Sequence, residues 1–310
     1  MPQDVDLSIL NKPVVDDMSD QERRIYEIRA IALHALLIDG AGFSAFRYFA
    51  ELKPLASPRM RGEWLEARIA TCVAGRIRPA VVVRSLNLLR GFRQSRTEED
   101  RFEAFEALLK TGLGGQRLTN HAYRAQTFGD RDHRPIWERI AGHIGFLTDQ
   151  GYQVFLNSGT LLGLVRDGRL IDHDDDIDLA LILKAGSHEE AAQEWNGLCT
   201  ALRDSGHLDA EQPDRGILKL AGVEDVKIDL FPAWIEDGRV FIYPHSHGDL
   251  ARGDVLPLTP CPVSGQPLPA ASEKMLANNY GPGWQVSDPY FKFPWPSARR
   301  KFSAFLEGLE

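Results

Sequence analysis

Five carboxylates fall within the seven positions Asp172 to Asp178 and run directly into the apolar stretch Leu179-Ala-Leu-Ile-Leu183. In a strand, successive side chains alternate between faces, so Asp174, Asp176 and Asp178 would share one face while Ile177, Leu179 and Leu181 take the other. Two like charges about 4 Å apart repel by about 4 kcal/mol at an effective dielectric near 20. A fold keeps them together only when a cation or a proton joins them, and a divalent-metal site on a strand is the economical reading. An acidic surface turn is the plainer alternative, but solvated acidic runs are seldom set between an apolar helix and a buried strand. A calcium loop of the EF-hand type is excluded. Counted from Asp172 or Asp174, the sixth position is Ile177 or Leu179 where Gly is required, and the twelfth is Leu183 or Ala185 where Glu is required.

A second carboxylate sits in Val226-Lys-Ile-Asp-Leu-Phe231, where Lys227 and Asp229 share one face and Ile228 and Leu230 the other. An Asp inside an apolar strand is costly to bury unpaired. Either Lys227 pairs with it, or Asp229 is a third ligand beside Asp176 and Asp178. Three carboxylates with phosphate oxygens and water complete the shell that Mg2+ demands, and Mn2+ accepts the same donors.

The rest of the chain organises around this centre. Apolar residues at three- and four-residue spacing predict helices over Gln21–Leu37, Gly62–Val73, Pro79–Phe92 and Glu98–Lys110, the last started by Thr97 as cap. This makes residues 1–125 a helical N-terminal region, with Thr111 to Asp132 as the boundary loop. Residues 126–310 read as mixed: a helix (Pro135–Asp149), a strand (Tyr152–Leu156), a short helix (Thr160–Arg166), the carboxylate strand (Ile177–Leu183) and a longer helix (His188–Ser205). Strands are expected near Ile217–Ala221, Val226–Phe231 and Val240–Tyr243. The Pro-rich stretch from Asp254 should wrap as turns and extended segments before a last helix, Ser297–Leu309. The expected fold class is α/β (α+β), a mixed sheet flanked by helices.

A net charge of −8 argues against general nucleic-acid binding. The thiols Cys72, Cys199 and Cys261 are odd in number and widely spaced, which suits reduced cysteines in a cytoplasm. Met1 to Asp20 is acidic and polar without the apolar core of a signal peptide. The most apolar stretch, Ile28 to Phe46, carries Arg29, His34 and Asp39, too polar for an ordinary span. A cytoplasmic location is expected. The segment 59–96 holds nine Arg against Glu63 and Glu66. It is a candidate for peripheral contact with the inner face of a membrane, or else a helix packed on its own domain with solvated arginines.

Ser158-Gly-Thr-Leu-Leu-Gly163, then Arg166-Asp-Gly, then Asp174-Asp-Asp-Ile-Asp178 resembles the LicD/fukutin family of the DNA polymerase β-like nucleotidyltransferase superfamily. Ile228-Asp-Leu-Phe-Pro232 and Tyr280-Gly-Pro-Gly-Trp284 resemble later signatures of that family, in the same order. The match spans roughly residues 135–290, with His173 where the family usually has Trp. The resemblance implies a nucleotidyltransferase-type sheet and a phosphotransferase of the LicD type. Such an enzyme moves a phospho-substituent, phosphocholine or a polyol phosphate, from a CDP-linked donor to a hydroxyl of a cell-surface glycan. Asp176, Asp178 and Asp229 would be catalytic as holders of Mg2+ (or Mn2+), with Asp229 also the base for the acceptor hydroxyl and Asp174 a positioning group behind them. Ser158, Gly159 and Thr160 would receive donor phosphate at a helix N-terminus. Arg166 could reach a phosphate or pair with Asp167 or Asp172; of Lys219 and Lys227, Lys227 is favoured for the diphosphate. Two other readings remain open: transfer of a nucleoside monophosphate to a small acceptor, and a non-catalytic glycan-binding module. His245-Ser-His247 with Cys261 matches no common zinc spacing. Trp284, Tyr290 and Trp295 serve either as packing or as stacking groups.

Overall fold

The computed structural model describes residues 18–119, 122–209, 216–288, 291 and 293–309. The chain divides into two compact units, Met1–Gln126 and Thr127–Glu310.

Among its described residues unit 1 has five helices, α1 (Asp20–Leu37), α2 (Ala45–Leu52), α3 (Arg61–Ala74), α4 (Pro79–Gln94) and α5 (Glu99–Leu113), followed by a two-stranded ribbon, β1 (Arg117–Leu118) and β2 (Tyr123–Arg124). Helix α1 starts on a capping box: Ser19 accepts from the Glu22 amide, and the Glu22 carboxylate accepts from the Ser19 amide. Helix α2 was not expected. Its eight residues, rich in aromatics, follow Ser44, whose side chain makes no capping bond, and are too few to show a helical period in the sequence. Thr97 does not cap α5. Its φ is +55°, in the left-handed region, and Glu98 holds the cap position instead.

Apolar residues such as Ile69, Val73, Val82, Leu89 and Phe105 fill the interior of unit 1. Beside them lies a buried ion network. The Glu66 carboxylate, fully buried, takes Arg29 and Arg93 at 2.7 Å each, and Arg93 also approaches Glu63 at 3.7 Å. Arg93 also takes Glu98 at 2.5 Å and Arg101 approaches Glu63 at 3.6 Å, so three guanidinium groups balance three carboxylates across α1, α3, α4 and the start of α5. Gly62 leaves the room, since a Cβ there would stand 2.7 Å from the Arg93 guanidinium. Within the Arg-rich segment, then, Arg93, Val82 and Leu89 belong to the interior, while Arg84 and Leu88 stay exposed. No helix among the described residues is long and apolar enough to cross a membrane.

Unit 2 carries the mixed sheet. After a 3-10 turn at Phe128–Asp130 come α6 (Arg134–Asp149), β3 (Gln153–Leu156), α7 (Ser158–Arg166), β4 (Asp176–Ile182) and α8 (His188–Asp204). Then follow β5 (Leu218–Val223), β6 (Val226–Glu236), β7 (Arg239–Ile242) and β8 (Ser246–Ala251). The last elements are α9 (Arg252–Val255), a ribbon of β9 (Thr259–Pro260) and β10 (Pro267–Leu268), α10 (Ser272–Tyr280), α11 (Trp295–Lys301) and α12 (Ser303–Glu307).

Strand order is β3-β4-β6-β7-β8, with β5 also on β6. β4 pairs antiparallel with β3 and parallel with β6. Reaching a parallel neighbour requires a crossover, which α8 and β5 supply. The far edge of the long β6 is shared, its first half by β5 and its second by β7. Helix α6 packs on β3 and β5, α7 on β4, α8 on β6 and α12, and α10 on α7. The core runs through Phe155, Leu179, Leu181, Trp195, Ile228, Leu230 and Trp234.

This half departs from the expectation in several elements. β8 forms in a stretch where no element was expected, and α10 forms where only turns and extended chain were expected, setting Asn278, Asn279 and Tyr280 on one short helix. The final helix breaks at Phe302, whose buried ring stands edge-on to Trp234 and Tyr243 at 5.8 and 5.4 Å. Tyr290 lies outside the described residues.

Removing one side of a buried ion network strands the other, at a cost of about 3–5 kcal/mol. Glu66→Ala should therefore lower the stability of unit 1 by about that amount in urea unfolding, far more than Glu106→Ala, whose pairing with Lys110 on α5 is exposed.

Candidate metal centre

The parallel register of β4 and β6 sets Asp178 directly opposite Asp229, with Asp176 two residues before Asp178 on the same face. One carboxylate oxygen from each of Asp176, Asp178 and Asp229 lies within 4.8 Å of the others. Oxygens around one octahedral Mg2+ stand about 3 Å apart along an edge and about 4 Å across. The donor set is all-oxygen and anionic, so the residues fit Mg2+ or Mn2+. Asp178 and Asp229 are buried and Asp176 is half-buried, so the cluster opens on one side. Asp174, Asp175 and Asp176 form a second acidic group of the same spread, in which Asp174 sits in the loop ahead of β4.

Helix α7 delivers its first turn to these carboxylates. The Gly159 amide donates to Asp178 Oδ2 at 2.8 Å, and the Asp178 amide donates to Thr160 Oγ1 at 2.9 Å. The helix N-terminus is thus spent in part on the carboxylate, where its dipole is also favourable. Gly159 is needed for proximity: a Cβ would stand 3.0 Å from Asp174 Oδ2 and 3.3 Å from Asp178 Oδ2. Gly163 has the same task one turn later, where a Cβ would meet the Arg169 carbonyl at 2.6 Å. The loop ahead of β4 is therefore laid against α7, and Gly129 holds it from outside by donating to the Asp172 carbonyl at 3.1 Å.

Ser158 has φ +42° at the strand-to-helix turn, and its Oγ lies 2.9 Å from His245 Nε2. Arg166 is bound by both oxygens of Asp167, at 2.9 and 2.7 Å, which settles its partner in favour of Asp167 over Asp172. Asp172 instead takes Arg169.

Lys219, not Lys227, holds Asp229. The Lys219 ammonium donates to Asp229 Oδ2, while Lys227 is exposed beside Asp176 in the register. The cause is a β-bulge. Val223 pairs with Val226 at the hairpin end, but Leu220 pairs with Ile228 and Lys219 with Asp229, so the register shifts by one between them. Without that shift Lys219 would point to the other face. Gly222 permits it, since a Cβ there would stand 2.2 Å from the Val226 carbonyl. A proton placed on Asp229 Oδ2 would have to displace the ammonium. The pairing therefore favours Asp229 as a ligand over Asp229 as the base.

The carboxylates raise one another. Burial first, then Asp176 and Asp229, hold the Asp178 carboxyl well above the usual carboxylate range, against the pull of the Gly159 amide and Lys219. Asp174 is raised likewise, by burial and then by Asp176 and Asp178. Tyr280 on α10 is pushed up by burial and then by Asp178, Asp174 and Asp176, with Arg166 opposing. Tyr280 sits on α10, which packs against α7, the helix whose first turn holds Asp178. Neither Tyr280 nor His245 emerges from the sequence as a site residue; the packing of α10 on α7 and the chain reversal after β7 bring them in.

The sequence profile of the LicD/FKTN/FKRP nucleotidyltransferase domain matches residues 151–272, the span from the strand before α7 to the start of α10. No curated protein matches the chain.

Between the ordinary carboxylate pKa near 4 and the raised values of Asp174 and Asp178, the native state holds protons that the unfolded chain has released. Metal-free stability therefore falls as pH rises through that window. Mg2+ binds the deprotonated carboxylates, so its stabilising effect should grow over the same window. Melting temperatures measured with and without Mg2+ should diverge progressively as pH rises above the ordinary carboxylate range, and Asp178→Asn should melt higher than wild type without metal once the wild-type carboxyls ionise. A Mg2+ effect that does not change with pH contradicts the assignment. Gly222→Ala should disrupt the bulge and release the Lys219 ammonium that competes for Asp229, so a Mg2+ titration should show tighter binding than in wild type.

Proposed function

Because the chain carries a LicD-family nucleotidyltransferase domain, that of a transferase, we propose that it moves a phospho-substituent from a CDP-linked donor to a hydroxyl of a cell-surface glycan. The observation that carries the reading is the juxtaposition of Asp176, Asp178 and Asp229 within 4.8 Å, on adjacent strands and open on one side.

Asp176, Asp178 and Asp229 would hold Mg2+ or Mn2+, with Asp174 behind them. A divalent cation there supplies charge neutralisation at the phosphate oxygens during displacement at phosphorus. The chain does the rest by positioning. Lys219 offsets part of the carboxylate charge, and its ammonium stands at the edge of the cluster where donor phosphate would arrive. Ser158 offers a hydroxyl to a phosphate oxygen from the turn ahead of α7. Arg166 is held against Asp167, which fixes its guanidinium near Tyr280. Tyr280 presents a phenol that stays protonated and can donate to a donor or acceptor oxygen. Phosphocholine and polyol phosphates are the substituents we propose, and the products would be CMP and a glycan phosphodiester.

Incubation with Mg2+, a candidate glycan and CDP-choline, CDP-ribitol, CDP-glycerol or CTP, followed by phosphorus NMR, tests this. CMP should form from one CDP-linked donor. Asp176→Asn and Asp178→Asn should each lose at least about tenfold in turnover, the lower range for damage even to an outer-shell partner of a metal site, while retaining cooperative unfolding. Pyrophosphate released from CTP without CMP would instead assign nucleotidyl transfer.

A further inference from the structure

Unit 1 holds a second group of arginines, apart from its buried ion network. The Arg68 guanidinium on α3 lies over the Phe49 ring at 5.0 Å and over the Trp64 ring at 5.1 Å. The Arg78 guanidinium lies over the same Phe49 ring at 4.8 Å, so one ring of α2 gathers two cations. Arg84, in the second turn of α4, is the third. The rings attract guanidinium groups but carry no net charge. Among the described residues no carboxylate pairs with Arg68, Arg78 or Arg84. The nearby carboxylates of α3 are already taken, Glu66 by Arg29 and Arg93, and Glu63 by Arg93 and Arg101.

The surroundings add to this excess of one sign. Burial holds the Arg68 guanidinium below its ordinary range; Cys72 opposes that, and Arg84 and Arg78 add to it as like charges. The Cys72 thiol is itself pushed up to about 11 by burial, so at neutral pH it supplies no counter-charge. Arg68 Nε is buried without a partner. Arg78 takes the N-cap position of α4 at φ +50°, a costly backbone for a residue with a side chain, and the first turn of α4 contains no acidic residue. Helices α1 and α5 do carry acidic first turns, Asp20 with Glu22 and Glu99 with Asp100. A helix N-terminus bears a partial positive charge that favours an anion and disfavours arginine. The cluster is the inverse of the carboxylate centre in unit 2: like charges held together with no answering group among the described residues.

We propose that Arg68, Arg78 and Arg84 form a binding site for a phosphate group on unit 1, and that the headgroup of an anionic phospholipid supplies it. Guanidinium forks match phosphate oxygens in pairs, and the N-terminal end of α4 adds to the same field. The headgroup is favoured over free phosphate by the apolar side chains next to the arginines in each helix. Phe46, one turn before Phe49 on α2, is 64% exposed, and Leu88, one turn after Arg84 on α4, is 39% exposed. Exposed apolar groups beside a basic cluster suit the boundary between headgroups and acyl chains. The site belongs to unit 1 and stands whether or not unit 2 turns over a CDP-linked donor.

The probes are vesicles of phosphatidylcholine with and without phosphatidylglycerol, in a flotation assay, and inorganic pyrophosphate in thermal melts. Both are used in EDTA, so that no metal on the carboxylates of unit 2 can hold the phosphate. The full chain is compared as wild type, Arg78→Gln, Arg84→Gln and Arg96→Gln. Arg78 and Arg84 are exposed, so neither substitution opens the core. Arg96 lies just past the far end of α4, beside Glu98 and about 15 Å or more from Arg84 at the helical rise, beyond a Debye length. Wild type should float with phosphatidylglycerol vesicles and not with phosphatidylcholine alone. Arg78→Gln and Arg84→Gln should each weaken that binding about fivefold, the share of one arginine at an anionic surface, while Arg96→Gln, which removes the same charge, should stay close to wild type. Without any anion Arg84→Gln should melt no lower than wild type, because it removes a like charge. Losses in Arg78→Gln and Arg84→Gln no larger than in Arg96→Gln assign binding to net charge and overturn the site. A lower melting temperature for Arg84→Gln without anion shows the cluster to be balanced internally and overturns it as well. Pyrophosphate that raises the melting temperature of wild type but not of Arg84→Gln, with no flotation, keeps the phosphate site and overturns the headgroup as its source. No response of wild type to either probe overturns the whole proposal.

Discussion

Everything distinctive in unit 2 follows from one pairing: the parallel register that places Asp178 against Asp229 on adjacent strands. Like charges brought this close repel by several kcal/mol even at an effective dielectric near 20. The surroundings answer that repulsion locally. The Gly159 amide bonds Asp178, and the bulge at Gly222 swings Lys219 onto Asp229. These contacts leave Asp178 and Asp174 still strongly shifted toward their protonated forms. A centre that remains under-compensated inside its own fold is suited to an external cation.

Unit 1 shows the contrast. Its ion network, Arg29, Arg93 and Arg101 with Glu63, Glu66 and Glu98, is balanced within the unit and calls for no ion. Both arrangements use glycine for proximity, Gly62 against Arg93 and Gly159 against Asp174 and Asp178. They differ in net charge, and that difference separates a structural network from a candidate metal site.

The sequence was informative wherever local pattern decides the outcome. The carboxylate strand, its apolar face, the helix after Ser158 and most helices of unit 1 follow from alternation and three- or four-residue spacing. The mixed sheet and the resemblance carried by Ser158–Gly163, Asp174–Asp178 and Ile228–Pro232 agree with the matched domain. What the sequence concealed was set by tertiary register. Lys227 shares the face of Asp229 in an ideal strand, but a one-residue bulge gives the contact to Lys219. Tyr280 and His245 reach the site because α10 packs on α7 and the chain turns back between β7 and β8, neither of which a Pro-rich composition announces. Thr97 reads as a helix cap by residue type alone, and its left-handed backbone assigns that place to Glu98.

The most direct measurement is a crystal structure of the protein soaked in Mn2+, with anomalous scattering locating the ion. The account predicts one or two peaks coordinated by oxygens of Asp176, Asp178 and Asp229, with Lys219 still on Asp229 Oδ2. A peak confined to Asp174 and Asp175, or none at saturating Mn2+, would contradict it.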